Sequence, residues 1–174
     1  MRYTLSALLT LERLMIPLSA VAERNLREFS EEQNLETAEV GVDGREHLLH
    51  PLACRAWQEM KAGARSQGLD IYIVSAFRSV ERQIGIITRK LRAGLTVDQI
   101  IKVSAPPYFS EHHTGLAVDV GTPGCEDLER GFDKTLAFVW LLANARSFGF
   151  EMSYGINNVE GFSYEPWHWR FTRS

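Results

Sequence analysis

Apolar positions in the first thirty residues recur at helical spacing: Leu8, Leu11, Leu14 and Leu18 share a stripe that Pro17 interrupts. The spacing predicts one or two packing helices between about residues 5 and 29, kinked or divided at the proline. The next stretch, EEQNLETAEVGVDGREH, is polar, carries Gly41 and Gly44, and reads as a loop or short hairpin. From Pro51 the pattern turns helical again: PLACRAWQEMKAGARSQG opens on a proline suited to a first turn and closes on Gly68. DIYIVSAF, rich in β-branched and aromatic residues, predicts a buried strand. SVERQIGIITRKLRAG predicts another helix, capped by Ser79 and stopped by Gly94.

In the second half, the segment SEHHTGLAVDV, from Ser110 to Val120, sets two histidines, a glycine and an aspartate into an otherwise apolar run. After the loop GTPGCEDLERG comes DKTLAFVWLLANARSFG, a helix apolar almost all round and therefore expected at the centre of the fold. FEMSYG and EPWHWRF supply two further strands. The fold class that follows is α+β, a small and mainly antiparallel sheet covered by helices. No repeat or linker divides the chain, so one domain over 1–174 is expected, with 1–45 as a helical and loop extension and 46–174 as the core.

Composition narrows what such a domain can do. At 174 residues and 45% hydrophobic, the chain can bury a sizeable core. Its net charge of −3, with the signs interspersed, gives no basic footprint for nucleic acid. Cys54 and Cys125 are the two cysteines; they suit a reducing compartment, with a single disulfide between them as the alternative. The stretch SALLTLERLMIPLSAVAE ends like a signal cleavage site, but Glu12 and Arg13 interrupt its apolar run, which is too short to span a bilayer. An amphipathic helix is the expectation there, with no transmembrane segment. A cytoplasmic location follows, with the cell envelope as the alternative.

Strand alternation gives the polar residues of SEHHTGLAVDV a direction. Leu116, Val118 and Val120 can face the core while Ala117 and Asp119 face a cleft. His112 lies seven residues earlier, about 23 Å away if fully extended, so it can share an ion with Asp119 only if the chain turns, and Gly115 permits that turn. In EPWHWRF the same parity separates Trp167, Trp169 and Phe171 from His168 and Arg170, so His168 can point to the cleft of Asp119. Two histidines and a carboxylate, with a fourth position for water, are a catalytic zinc set. Glu165 is the nearest base, although simple alternation turns it away, so the role requires a bend that Pro166 can supply.

The pattern Ser-x-His-x-x-Gly-x-Ala-x-Asp at Ser110, His112, Gly115, Ala117 and Asp119, followed by Glu-x-Trp-His at Glu165, Trp167 and His168, resembles the VanY-type D-alanyl-D-alanine carboxypeptidases. These belong to a wider group of zinc peptidases that includes lysostaphin and the hedgehog fold. Upstream, SAFRSVERQ is similar to the family's Ser-Gly-Tyr-Arg-Ser segment, so the resemblance covers roughly residues 70 to 172 and leaves the first 45 unmatched.

The resemblance implies His112, Asp119 and His168 as ligands of Zn2+ and Glu165 as general base. Arg78 would engage a substrate carboxylate, with Ser75, Gln83 and Ser110 as further pocket residues. His113, at a variable motif position, would border the site without ligating, and His47 and His50 read as surface or capping residues. The implied reaction removes terminal D-alanine from a peptidoglycan stem peptide, across a D,D or an L,D bond. An endopeptidase, or a non-catalytic zinc-stabilised wall-binding module, would use the same site differently. The departures, Ala76 and Phe77 for Gly-Tyr and Ser153 to Gly155 where Arg-Tyr-Pro is expected, bear on substrate preference rather than on the ligands.

Overall fold

The computed structural model describes residues 3–172, so the expected span of 1–174 runs beyond the described residues at both ends. Helix α1 (Leu5–Arg13) starts where the Thr4 hydroxyl accepts the Ala7 N–H at 3.2 Å. It stops ahead of Pro17, Met15 adopting a positive φ of 56°, and a single turn, α2 (Ser19–Ala22), follows. The helical stripe therefore does divide at the proline, and from Leu26 to Leu35 the chain forms neither helix nor strand.

The polar stretch forms an antiparallel hairpin of β1 (Glu36–Val40) and β2 (Glu46–Leu49). Helix α3 (Pro51–Ser66) carries proline in its first turn, is capped by the His50 imidazole at 3.2 Å from the Leu52 N–H, and ends before Gly68 at φ +76°. His47, expected at the surface or in a cap, is buried instead. Strand β3 (Tyr72–Ser75) leads to α4 (Val80–Arg92), capped by Ser79.

A short helix that the apolar pattern left unassigned, α5 (Val97–Val103), follows; its start is fixed by a reciprocal box between Thr96 and Gln99. After a 3₁₀ turn at Glu111–Thr114 come β4 (Ala117–Gly121), α6 (Leu136–Asn144), β5 (Phe150–Met152) and β6 (His168–Phe171).

The larger sheet has the order β3-β4-β6-β5, with every neighbouring pair antiparallel. One apolar cluster packs α3 and α6 on it through Trp57, Met60, Val118, Leu141, Phe150 and Trp169. A second joins α1 and the residues after it to α4 and α5 through Leu11, Leu26, Ile87 and Ile100, and reaches Tyr154 and Phe162.

Helix α6 is not central. Phe138 and Leu141 are buried, but Leu136 is 74% exposed, and Val139 and Leu142 are more than half exposed on the opposite face. The sheet covers only one side of this helix. Among the described residues no helix is long and apolar enough to cross a membrane.

Candidate metal centre and substrate cleft

Three strands place the polar row. Ser75 on β3 and His168 on β6 both sit directly opposite Asp119 on β4, and residues opposite one another in an antiparallel pair project to the same face. The intervening Val118, Val120 and Trp169 project into the core.

His112 reaches the row from the 3₁₀ turn, which Gly115 closes at φ +63°. A Cβ at Gly115 would stand 2.8 Å from Leu35 Cδ2 and 2.9 Å from the His50 backbone nitrogen. A residue that is both left-handed and this closely approached has to be glycine.

His112, Asp119 and His168 are all buried, and one ligand atom from each lies within 4.8 Å of the others. His112 Nδ1 donates to the Ala76 carbonyl at 2.8 Å, which turns Nε2 towards Asp119 Oδ2, 3.2 Å away. His168 presents Nδ1 to Asp119 Oδ1 at 2.9 Å and Nε2 to Glu111 Oε2 at 3.0 Å. Each imidazole therefore has its outer nitrogen fixed by a carbonyl or carboxylate and its inner nitrogen beside Asp119. That is the arrangement a tetrahedral zinc site asks of its histidines, so the residues fit such an ion.

Glu111 is the site residue that the sequence reading passed over. Its carboxylate accepts from His168 Nε2, from the Ser153 hydroxyl at 2.6 Å and from Arg170 Nη1 at 3.1 Å. Ser153, noted above as a departure from the family pattern, thus braces Glu111. Tyr154 beside it stacks on the His168 ring, with centroids 4.5 Å apart.

The electrostatics of the protein alone follow from these contacts. Burial would raise Glu111, but the hydrogen bond and charge of His168 prevail and hold it at about 2. Asp119, equally opposed by burial, is held far below the carboxylate range by His112 and His168. Burial would lower His168, yet its bonds to Asp119 and Glu111 raise it to about 10, whereas burial dominates at His112 and lowers it to about 4. Asp119 and Glu111 thus both stay ionised on either side of His168, with Arg170 on the outer side of Glu111.

Glu165 lies in the turn leading into β6: its carbonyl accepts the His168 N–H at 3.1 Å and its own N–H donates to the Tyr154 carbonyl at 3.0 Å. The bend its role requires is present. It lines the same cleft as the three clustered residues, and burial raises its pKa to about 7, against the opposing charge of His168.

Arg78 Nη2 donates to Ser75 Oγ and Nη1 to Gln83 Oε1, each at 3.0 Å, which leaves the guanidinium 3.6 Å from Asp119 Oδ2. Gln83 is fully buried and its amide also donates to the Ala105 carbonyl, so it acts through Arg78 and not from the cleft wall. Ser110 does line the cleft. His113 points elsewhere, with Nδ1 donating to the Arg78 carbonyl and Nε2 accepting the Tyr108 N–H at 3.2 Å. Cys54 and Cys125 are both free thiols. The cleft encloses about 700 Å³.

A small antiparallel sheet with a His-Asp-His cluster on one face, facing a cleft that holds a separate glutamate and an arginine, has the layout of a metallopeptidase domain. The profile of the VanY family, D-alanyl-D-alanine carboxypeptidase, matches residues 46–174, and the chain belongs to that family.

Among its relatives, the putative carboxypeptidase YodJ of Bacillus subtilis (strain 168) is 32% identical over 123 residues, covering 68% of this chain and 44% of YodJ. The chain thus spans less than half the length of that relative. Among solved structures, the LdcB LD-carboxypeptidase is similar at TM-score 0.72 and 30% identity, over 81% of this chain and 69% of LdcB. A mutant of the VanY D,D-pentapeptidase in complex with Zn(II) is similar at TM-score 0.60 and 27% identity, over 82% of this chain and 85% of that one.

Proposed function

We propose that this chain is a zinc-dependent carboxypeptidase that removes the terminal D-alanine from peptidoglycan stem peptides, across a D,D or an L,D bond. One observation carries the reading: a single cleft holds the His112, Asp119 and His168 cluster together with a carboxylate lifted to about 7 and a braced guanidinium. A purely structural ion site has no use for the last two. The likeness to an LD-carboxypeptidase and to a zinc-containing D,D-pentapeptidase supports both the ion and the substrate class.

His112 Nε2, Asp119 and His168 Nδ1 would hold the ion, which supplies polarisation of the scissile carbonyl and acidification of water. Glu165 takes the proton of the attacking water and delivers it to the leaving amine, a role that suits a carboxylate whose pKa sits near neutrality. Ser75 and Gln83 hold the plane of Arg78 so that its donors can meet a substrate carboxylate in two parallel hydrogen bonds.

Mass spectrometry of a stem tetrapeptide and a stem pentapeptide incubated with zinc-loaded protein tests the reading. Loss of one alanine is expected, abolished in Glu165→Ala, and the peptide that reacts reports the bond. A Glu165→Ala protein that keeps its zinc and full activity would sink the base assignment. Peptides left intact by zinc-loaded wild-type protein would replace the carboxypeptidase with an endopeptidase or a binding module.

A further inference from the structure

The cleft carries a charge that the proposed chemistry leaves unused. Its lining includes the basic residues Arg45, Arg78, Arg82, Lys90 and Arg130 against the acidic Asp119, Glu129 and Glu165, although the chain as a whole is negative. Two of those three carboxylates belong to the reaction itself. Arg45 is paired with Asp43 and Arg78 belongs to the reaction, so Arg82, Lys90 and Arg130 against Glu129 remain as the unused excess.

Two of those three cations stand on one face of α4. Arg82, Ile86 and Lys90 are spaced four apart and all line the cleft, so they form a single stripe. Arg82 and Lys90 stand about 12 Å apart along the helix axis.

Lys90 is the better held of the two, its Nζ donating to Ser104 Oγ at 2.6 Å where α5 ends. Neither is among the ion pairs of the described residues, whereas Lys61, Arg146 and Arg170 each find a carboxylate. An ammonium has three donors, and this partly buried one, which feels the charge of Glu165 but has no carboxylate within ion-pair distance, recovers only part of its desolvation cost. A negatively charged group arriving with the substrate would remove that cost.

Arg78, fixed beside Asp119, already serves the terminal carboxylate under the function proposed above, on which this inference rests. Lys90, twelve residues on, is left for a different group. We propose that Lys90, braced by Ser104, binds a second carboxylate carried on a side chain of the substrate. The preferred stem peptides then hold a carboxylated diamino acid of the diaminopimelate type, not lysine, next to the D-alanine end. A lysine side chain in that place is net positive, whereas that of diaminopimelate balances the same ammonium with its carboxylate, so repulsion from Lys90 and the other basic residues falls on lysine and sharpens the choice.

The test compares two peptides that differ only in that residue, meso-diaminopimelate or L-lysine, with zinc-loaded wild-type, Lys90→Met and Lys90→Glu proteins. Wild-type kcat/KM should favour the diacid peptide by about tenfold or more, through KM, as one charge-assisted hydrogen bond implies. In Lys90→Met the ratio should fall to within about threefold of unity, and in Lys90→Glu it should reverse.

Absence of a wild-type preference overturns the proposal. So does a ratio unchanged by Lys90→Met, the result expected if Lys90 merely shares the terminal carboxylate. Should wild-type protein cleave neither peptide, the carboxypeptidase reading fails separately. Calorimetric binding of both peptides to zinc-loaded Glu165→Gln protein then decides the Lys90 inference by the same preference.

Discussion

The two walls of the cleft hold their charges in opposite ways. On the sheet side, Asp119 is gripped by two imidazoles, His168 by two carboxylates and Glu111 by Ser153 and Arg170, so each functional group is oriented by the chain itself. On the helix side, Arg82 and Lys90 have one side-chain hydrogen bond between them, to the hydroxyl of Ser104, and no ion pair among the described residues. A wall whose polar groups are satisfied internally is prepared for one fixed chemistry, and a wall with charge to spare is prepared for a ligand. Damage to the first should abolish function; damage to the second should redirect it.

Asp119→Ala should give the largest effect, because it removes the residue at the centre of the row and leaves two histidines facing a gap. Zinc measured by mass spectrometry should fall from about one ion per chain to near zero, with hydrolysis lost by more than about a thousandfold. Full zinc occupancy in that variant would show that the ion is held elsewhere.

Glu111→Gln keeps the shape but removes the charge that orients His168. Zinc affinity, measured by chelator competition, should weaken by about 10- to 100-fold, the usual cost of losing a group that orients a ligand. An unchanged affinity would make the sheet wall less integrated than its bonds imply.

The smallest effect tests Glu165, where the walls meet and His168 and Lys90 both act on one carboxylate. Its pKa is raised, so between about 4.5 and about 7 the folded protein holds a proton that the unfolded chain has released. Stability contributed by the protonated form is therefore lost as pH rises through that window. In urea unfolding of metal-free protein, Glu165→Gln should match wild type near pH 4 and exceed it above pH 7 by on the order of 1 kcal/mol. A difference that does not change with pH would remove the burial argument.

Much of the sheet wall was legible because its chemistry is written into strand parity. Asp119 and His168 follow from period-two alternation, and the hairpin, α3 and α4 from turn and cap residues. Glu111 was less visible, since nothing in its immediate sequence says that it faces β6. The available signal was Arg170, on the same strand face as His168, a cation in need of an acid. Helix α5 was hidden by its length, although its Thr96 and Gln99 capping pair is a local signature. The apolar face of α6 misled because hydrophobicity records the capacity to be covered, and Leu136, Val139 and Leu142 are left outside. Gln83 was placed in the pocket because the chain neighbourhood of Arg78 was visible while the direction of its amide was not.

The register of β4 against β6 has one more consequence. Asp119 faces His168 and Val118 faces Trp169, so sliding either strand by one residue would carry the histidine into the oily interior and bring an indole into the cleft. Only the correctly aligned sheet offers an ion three ligands at once. Metal capture thus works as an inspection step in folding: a chain that passes it has been proofread across two strands and the turn ahead of them, and a chain that has slipped has nothing to present.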